Sequence, residues 1–147
     1  MGCSHNDGFS ALARDHAMYP RHYGPREHWD GRARITGPCG DTMEFWLSAR
    51  DGSVEHVSFT TDGCGPAVAC GSMAATLSVG KRLGDAMALE QADILQALGG
   101  IPAESEHCAL LAATTLRAAC QECLVRISLR GPYRASPLTR NTREEER

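Results

Sequence analysis

Apolar positions along this chain change period twice, and the changes divide it into segments. Phe9 to Met18 carries a helical pattern that Pro20 ends, because the residue before a proline is pushed away from the helical region. Tyr19 to Gly31 is rich in Pro, Gly, His and Arg and reads as a loop. A two-residue period then takes over. Arg32 to Thr36 is a short strand. Thr42 to Ala49 alternates, with Met43, Phe45 and Leu47 on one side and Trp46 on the other. Val54 to Thr60 places Val57 and Phe59 on one face. Asp51-Gly52 between the last two is a hairpin turn, so the three strands form an antiparallel meander.

After Gly65 the period returns to that of a helix. Pro66 suits a first helical turn, and the helix runs to Val79, weakened by Gly71. A second helix spans about Gly84 to Leu98 and stops at Gly99-Gly100. A third starts near Ser105, its N-cap, and runs to about Ile127. Gly131-Pro132 ends the ordered chain. The expected organisation is one α+β domain over residues 1–130 and a disordered polar tail over 131–147.

Composition narrows the function classes. A net charge of −3 over 147 residues implies neither a nucleic-acid nor a membrane surface. The N-terminus lacks the basic and apolar regions of a secretory signal, and no apolar run reads as a membrane span, so the expected location is the cytoplasm. The odd count of seven cysteines then argues for free thiols rather than a disulfide framework.

Three cysteines stand apart from the rest. Gly37-Pro38-Cys39-Gly40-Asp41 and Asp62-Gly63-Cys64-Gly65 put thiols in glycine-rich turns, and His107-Cys108 puts one at a helix start. If the chain is extended at 39–41, Cys39 and Asp41 point to one side. The free N–H groups at a helix start favour an anion, which would lower the Cys108 pKa. Such a set suits an iron–sulfur cluster or zinc. The competing reading of Cys39 and Cys64 is of incidental turn cysteines.

Cys120 and Cys123 share a helix with Cys108 but lie roughly 18 and 22 Å further along it, so they cannot join it at one metal and read as core residues. Cys70 reads as a small buried hydrophobe, with a role as spare ligand or sulfur relay left open. A Cys108–His107 nucleophilic enzyme is disfavoured, because neighbouring helical residues point about 100° apart. His5, His16, His22, His28 and His56 show no ligand spacing and read mostly as surface residues.

At these blocks, together with Glu106-His107-Cys108-Ala109-Leu110-Leu111-Ala112 and Pro20-Arg21-His22-Tyr23-Gly24, the chain resembles the iron–sulfur scaffold proteins, IscU and the N-terminal domain of NifU. The resemblance spans about residues 19–127. It implies a SufE/NifU-like fold, a small three-stranded antiparallel sheet with helices packed on it. It implies a scaffold rather than a turnover enzyme: sulfur arrives as persulfide from a cysteine desulfurase, a [2Fe–2S] cluster is built with iron, and recipient apo-proteins take it. Carried over, Cys39, Cys64 and Cys108 are the cluster thiolates and Asp41 the labile oxygen ligand. His107 is an auxiliary ligand and Cys108 the persulfide acceptor. The alternative is a zinc-binding, SufU-like sulfur acceptor with Cys39, Asp41, Cys64 and Cys108 on the metal. Ile101-Pro102-Ala103-Glu104-Ser105 departs from the Leu-Pro-Pro-Val-Lys of scaffolds served by an Hsp70, so that partner is not carried over. Self-association stays open.

Overall fold

A computed structural model describes residues 8–130; Cys3, His5 and the expected tail over 131–147 lie outside the described residues. Helix α1 (Ala11–Met18) comes first, followed by strands β1 (Gly31–Thr36), β2 (Thr42–Arg50) and β3 (Ser53–Thr61). Helices α2 (Gly65–Ser78), α3 (Leu83–Met87), α4 (Gln91–Leu98) and α5 (His107–Arg130) complete it. The strands form one antiparallel sheet in the order β1-β2-β3. This is the α+β meander expected from the sequence, and Asp51 and Gly52 both take positive φ at the hairpin.

The alternation in β2 and β3 explains the core. Met43, Phe45, Leu47, Val57 and Phe59 are all buried, and the Phe45 and Phe59 rings stack at 5.7 Å. Helix α5 lies across β1 and β2, and α2 packs against β3, α1 and α5. Because α2 has neighbours on nearly every side, ten of its residues are buried and it lacks a polar stripe. Gly71, which weakens that helix on propensity alone, is there for space: the Phe59 ring fills the position of its missing side chain.

Three expectations about helices change. The span Gly84 to Leu98 is two helices, because Glu90 caps α4 and accepts from the Asp93 backbone while the Asp93 carboxylate accepts the Glu90 N–H at 2.8 Å. Ser105 is not an N-cap: it ends a 3-10 turn over Ala103–Ser105, and α5 starts at His107. Finally, Ala103–Arg130 is, by length and composition, apolar enough to cross a membrane; more than half of its most apolar window is buried inside the domain, so those residues form core.

His16 is a further correction. It is buried rather than exposed, with Nδ1 2.7 Å from the Ser72 hydroxyl, which also accepts the Arg21 N–H at 2.8 Å. Ser10 caps α1 and also donates to the Leu98 carbonyl, tying α1 to the end of α4.

Candidate functional site

Three connections meet at one end of the domain: the β1–β2 loop, the β3–α2 turn and the start of α5. The β1–β2 loop is a closed turn. Gly37 donates to the Asp41 carbonyl at 2.8 Å, Gly40 donates to the Gly37 carbonyl at 3.0 Å, and Gly40 takes φ 96°, a region that glycine enters without steric cost. Cys39 and Asp41 converge because of that turn and not because the chain is extended. The loop rests on α5, with the Leu111 side chain 3.6 Å from where a Gly37 Cβ would stand.

The ligand atoms of Cys39, Asp41 and His107 all lie within 4.8 Å of one another, with Cys39 and His107 exposed and Asp41 half-buried. Cys64 is the N-cap residue of α2, exposed and in extended backbone. Cys108 is 2% exposed, with Sγ 3.8 Å from His107 Nε2. The wide angle between neighbouring helical residues therefore does not keep the imidazole away from the thiol, because the His107 ring folds back towards it.

The Cys108 thiol behaves opposite to expectation. Burial pushes its pKa up to about 11, and the negative charges of Asp41, Cys64 and Cys39 add to the rise. The 3-10 turn uses the Ser105 and Glu106 N–H groups on the Pro102 and Ala103 carbonyls, and Ala109 donates to Glu106. The same shift locates the donors: Asp41, Cys64 and Cys39 all lie near enough to Cys108 to act on it electrostatically. All five sequence-selected residues thus gather at one end of the domain. No disulfide joins the described cysteines.

Cys70, Cys120 and Cys123 are fully buried, as expected of core residues. Burial raises the Cys70 pKa well above its ordinary value, with Cys108 adding to it, and raises that of Cys120 to about 12. Gly31 explains the burial of Cys123, since β1 crosses α5 there with no room for a Cβ between Gly31 and Ala119 or Cys123. The Gln91 side chain donates to the Glu106 carbonyl at 3.0 Å, bracing the residue before His107.

Two residues of the quoted motifs have a role the motifs did not suggest. Asp62 and Gly63 hold the β1–β2 loop against the β3–α2 turn. The Asp62 carboxylate accepts the Thr42 N–H at 2.7 Å, and the missing Gly63 side chain leaves space that Asp41 fills. An Asp-Gly pair is an ordinary turn signal, and its contact 20 residues away is visible only in three dimensions.

Comparison with known proteins places these features in a family. The sequence profile of the NifU-like N terminal domain matches residues 9–128. The chain is 38% identical over 112 residues to "Iron-sulfur cluster assembly scaffold protein IscU 1" of Archaeoglobus fulgidus, covering 76% of this chain and 73% of that one. It is 34% identical over 116 residues to the IscU scaffold protein of Escherichia coli strain K12, covering 76% of this chain and 90% of that one. Among solved structures, an N-terminal NifU-like protein from Brucella abortus superposes with TM-score 0.61 at 16% identity, covering 79% of this chain and 94% of that one. A SUF-system iron–sulfur cluster assembly scaffold protein from Fervidobacterium islandicum AW-1 gives TM-score 0.61 at 18% identity, covering 76% and 96%. At those identities the two structures establish the shared fold.

Proposed function

The chain belongs to the IscU/NifU N-terminal domain family, and we propose that it is a scaffold on which an iron–sulfur cluster is assembled and then passed on. The observation that carries this is the mixed donor set at one open end of the domain: Cys39, Asp41 and His107 within 4.8 Å of one another, with Cys108 3.8 Å from His107 and Cys64 close enough to act on Cys108. Thiolates are the donors that hold iron–sulfur clusters. A carboxylate is a harder donor that suits such metals less well. A site with one such weak position holds its cargo long enough for assembly and still gives it up.

Sulfur is supplied by a cysteine desulfurase. The Cys108 thiolate attacks the outer sulfur of the enzyme's persulfide, the S–S bond breaks, and the desulfurase thiolate leaves. Reducing the Cys108 persulfide to sulfide takes two electrons from an external electron donor. His107, 3.8 Å from Cys108, is placed to take the thiol proton or to act as an auxiliary ligand. The cluster is [2Fe–2S], bound by Cys39, Cys64 and Cys108 with Asp41, and its acceptors are apo iron–sulfur proteins. We place the work in the cytoplasm, where thiols stay reduced.

A second reading has an observation in its favour. Cys39 and Asp41 offer ligand atoms within 4.8 Å of each other, close enough to share a single tetrahedral ion, so zinc on these two and the neighbouring thiolates, with Cys108 exchanging off it to take sulfur, also accounts for the site.

Metal and acid-labile sulfide analysis of anaerobically purified protein, before and after incubation with a desulfurase, cysteine and Fe²⁺, separates the two. Sulfide matching iron, with visible charge-transfer bands, supports the scaffold. Stoichiometric zinc that iron and sulfide fail to displace supports the sulfur acceptor.

A further inference from the structure

Asp62 and Gly63 sit at the rim of the site without belonging to the donor set. The Asp62 N–H donates to the Thr42 carbonyl at 3.2 Å while its carboxylate accepts the Thr42 N–H at 2.7 Å. The Thr61 hydroxyl donates to the same carbonyl at 2.8 Å and accepts the Gly63 N–H at 3.1 Å. Both backbone polar groups of Thr42 are therefore clasped by the β3–α2 turn, immediately after Asp41. The Asp41 carbonyl is fixed separately by Gly37.

Gly63 completes the clasp by what it lacks. A Cβ there would stand 2.8 Å from Asp41 Oδ2, 3.0 Å from Asp41 Cγ and 2.7 Å from the Ala67 Cβ. Gly63 is not among the positive-φ glycines, so its backbone does not demand glycine. Space does: the Asp41 carboxylate occupies the place of a side chain at 63. Cys64 follows directly, so one turn sets both a thiol and the carboxylate.

We propose that Asp62 and Gly63 are positioning residues that hold the Asp41 carboxylate at the cluster and so set how readily the cluster is lost. The link to cluster loss rests on Asp41 being a cluster ligand. The positional claim does not, and the two are tested separately. Outer partners of metal ligands are commonly worth about 10- to 100-fold in affinity or activity.

The positional claim is read in the metal-free protein by NMR. Gly63→Ala should move the Asp41 carboxyl resonance. Asp62→Ala should speed exchange of the Thr42 amide about tenfold, the scale of one hydrogen bond to a charged acceptor. Asp62→Asn, which keeps an oxygen acceptor, should restore slow exchange. The functional claim is read as decay of the reconstituted cluster's visible absorbance under an iron chelator. Gly63→Ala should change the rate about tenfold, in the direction that Asp41→Ala does. The double variant should behave as Asp41→Ala alone, and adding Ala67→Gly to Gly63→Ala should change nothing.

An unmoved Asp41 resonance in Gly63→Ala overturns the proposal, as do rate effects that multiply or a rescue by Ala67→Gly. If Asp41→Ala itself leaves the decay unchanged, the ligand reading of Asp41 fails, while the Asp41 resonance and Thr42 exchange still decide the positional claim. Should Gly63→Ala not fold, the Asp62 pair tests the clasp alone.

Discussion

In the metal-free protein Cys108 is expected to be a slow nucleophile at neutral pH, and the site indicates how slow. Its pKa lies at about 11, against an ordinary 9.0. At pH 8 the thiolate fraction is then about one in a thousand rather than about one in ten, a loss of roughly 100-fold. The more basic thiolate is intrinsically more nucleophilic, with a Brønsted coefficient near 0.45, which returns about eightfold over two pH units. The net expectation is a rate about tenfold below that of an ordinary thiol, before any steric cost of a side chain that is 2% exposed. The assay is alkylation by iodoacetamide between pH 7.5 and 10.5, mapped onto Cys108 by mass spectrometry. Steric hindrance lowers every point equally, so the pH dependence is the decisive readout. The logarithm of the rate should climb one unit per pH unit with no plateau below about pH 10.5. Asp41→Asn, which removes a neighbouring charge, should shift the curve towards lower pH. A plateau at or below pH 9, or a curve indifferent to Asp41→Asn, refutes the argument.

Four other outcomes follow from the same geometry. Cys108→Ser should abolish the persulfide adduct after desulfurase treatment, whereas Cys120→Ser and Cys123→Ser, fully buried further along α5 and away from the loops, should keep it; an undiminished adduct on Cys108→Ser, by mass spectrometry, removes the acceptor assignment. Asp41→Ala should slow cluster transfer about tenfold, because His107, within 4.8 Å, can take the vacated position with a softer donor; faster loss of cluster absorbance to an apo-acceptor counts against this. Cys70, Cys108 and Cys120 all have folded pKa values above the unfolded 9.0, so the folded state holds protons that the unfolded state releases. Stability is therefore complete below pH 9 and falls above it by about 4 kcal/mol per pH unit for the three together, and urea titrations at pH 8, 9 and 10 should follow that slope. Gly71→Ala should cost about 1–3 kcal/mol in a urea melt by forcing Phe59 to move, and an unchanged midpoint would mean that the ring has space the packing does not show.

The strands were legible because alternation has only two faces: burying Phe45 also buries Met43 and Leu47, and the Asp51-Gly52 turn fixes the pairing of β2 with β3. The helix boundaries were less legible because their signals were unusual. Glu90 with Asp93 forms a capping box from residues that read as ordinary surface acids inside an apparently continuous helix. Ser105 carries an N-cap residue type but is taken up by a 3-10 turn. His16 read as a surface residue because its partner, Ser72, lies 56 positions away. The five candidate donors stood out in the sequence, Cys39, Asp41 and Cys64 beside glycines and the His107-Cys108 pair at an expected helix start. The reversal of the Cys108 pKa was not, since its burial beside Cys70 of α2 and the charged groups of the two loops is a tertiary fact.

That reversal bears on how the site would work. A thiol with pKa near 11 is almost wholly protonated and slow to react when the site is empty, which slows its oxidation and alkylation. Two kinds of event would change its state. A metal cation beside Cys39 and Asp41 cancels the negative charges that raise the pKa and favours the thiolate directly. A base at 3.8 Å, His107, offers the proton somewhere to go without a path through bulk water. Both routes begin at the exposed side of the site, where Cys39 and His107 meet solvent, and end at the buried Cys108. Exposed donors for arrival and departure, and one buried sulfur that becomes reactive only when a metal or partner is present, form the arrangement a carrier requires.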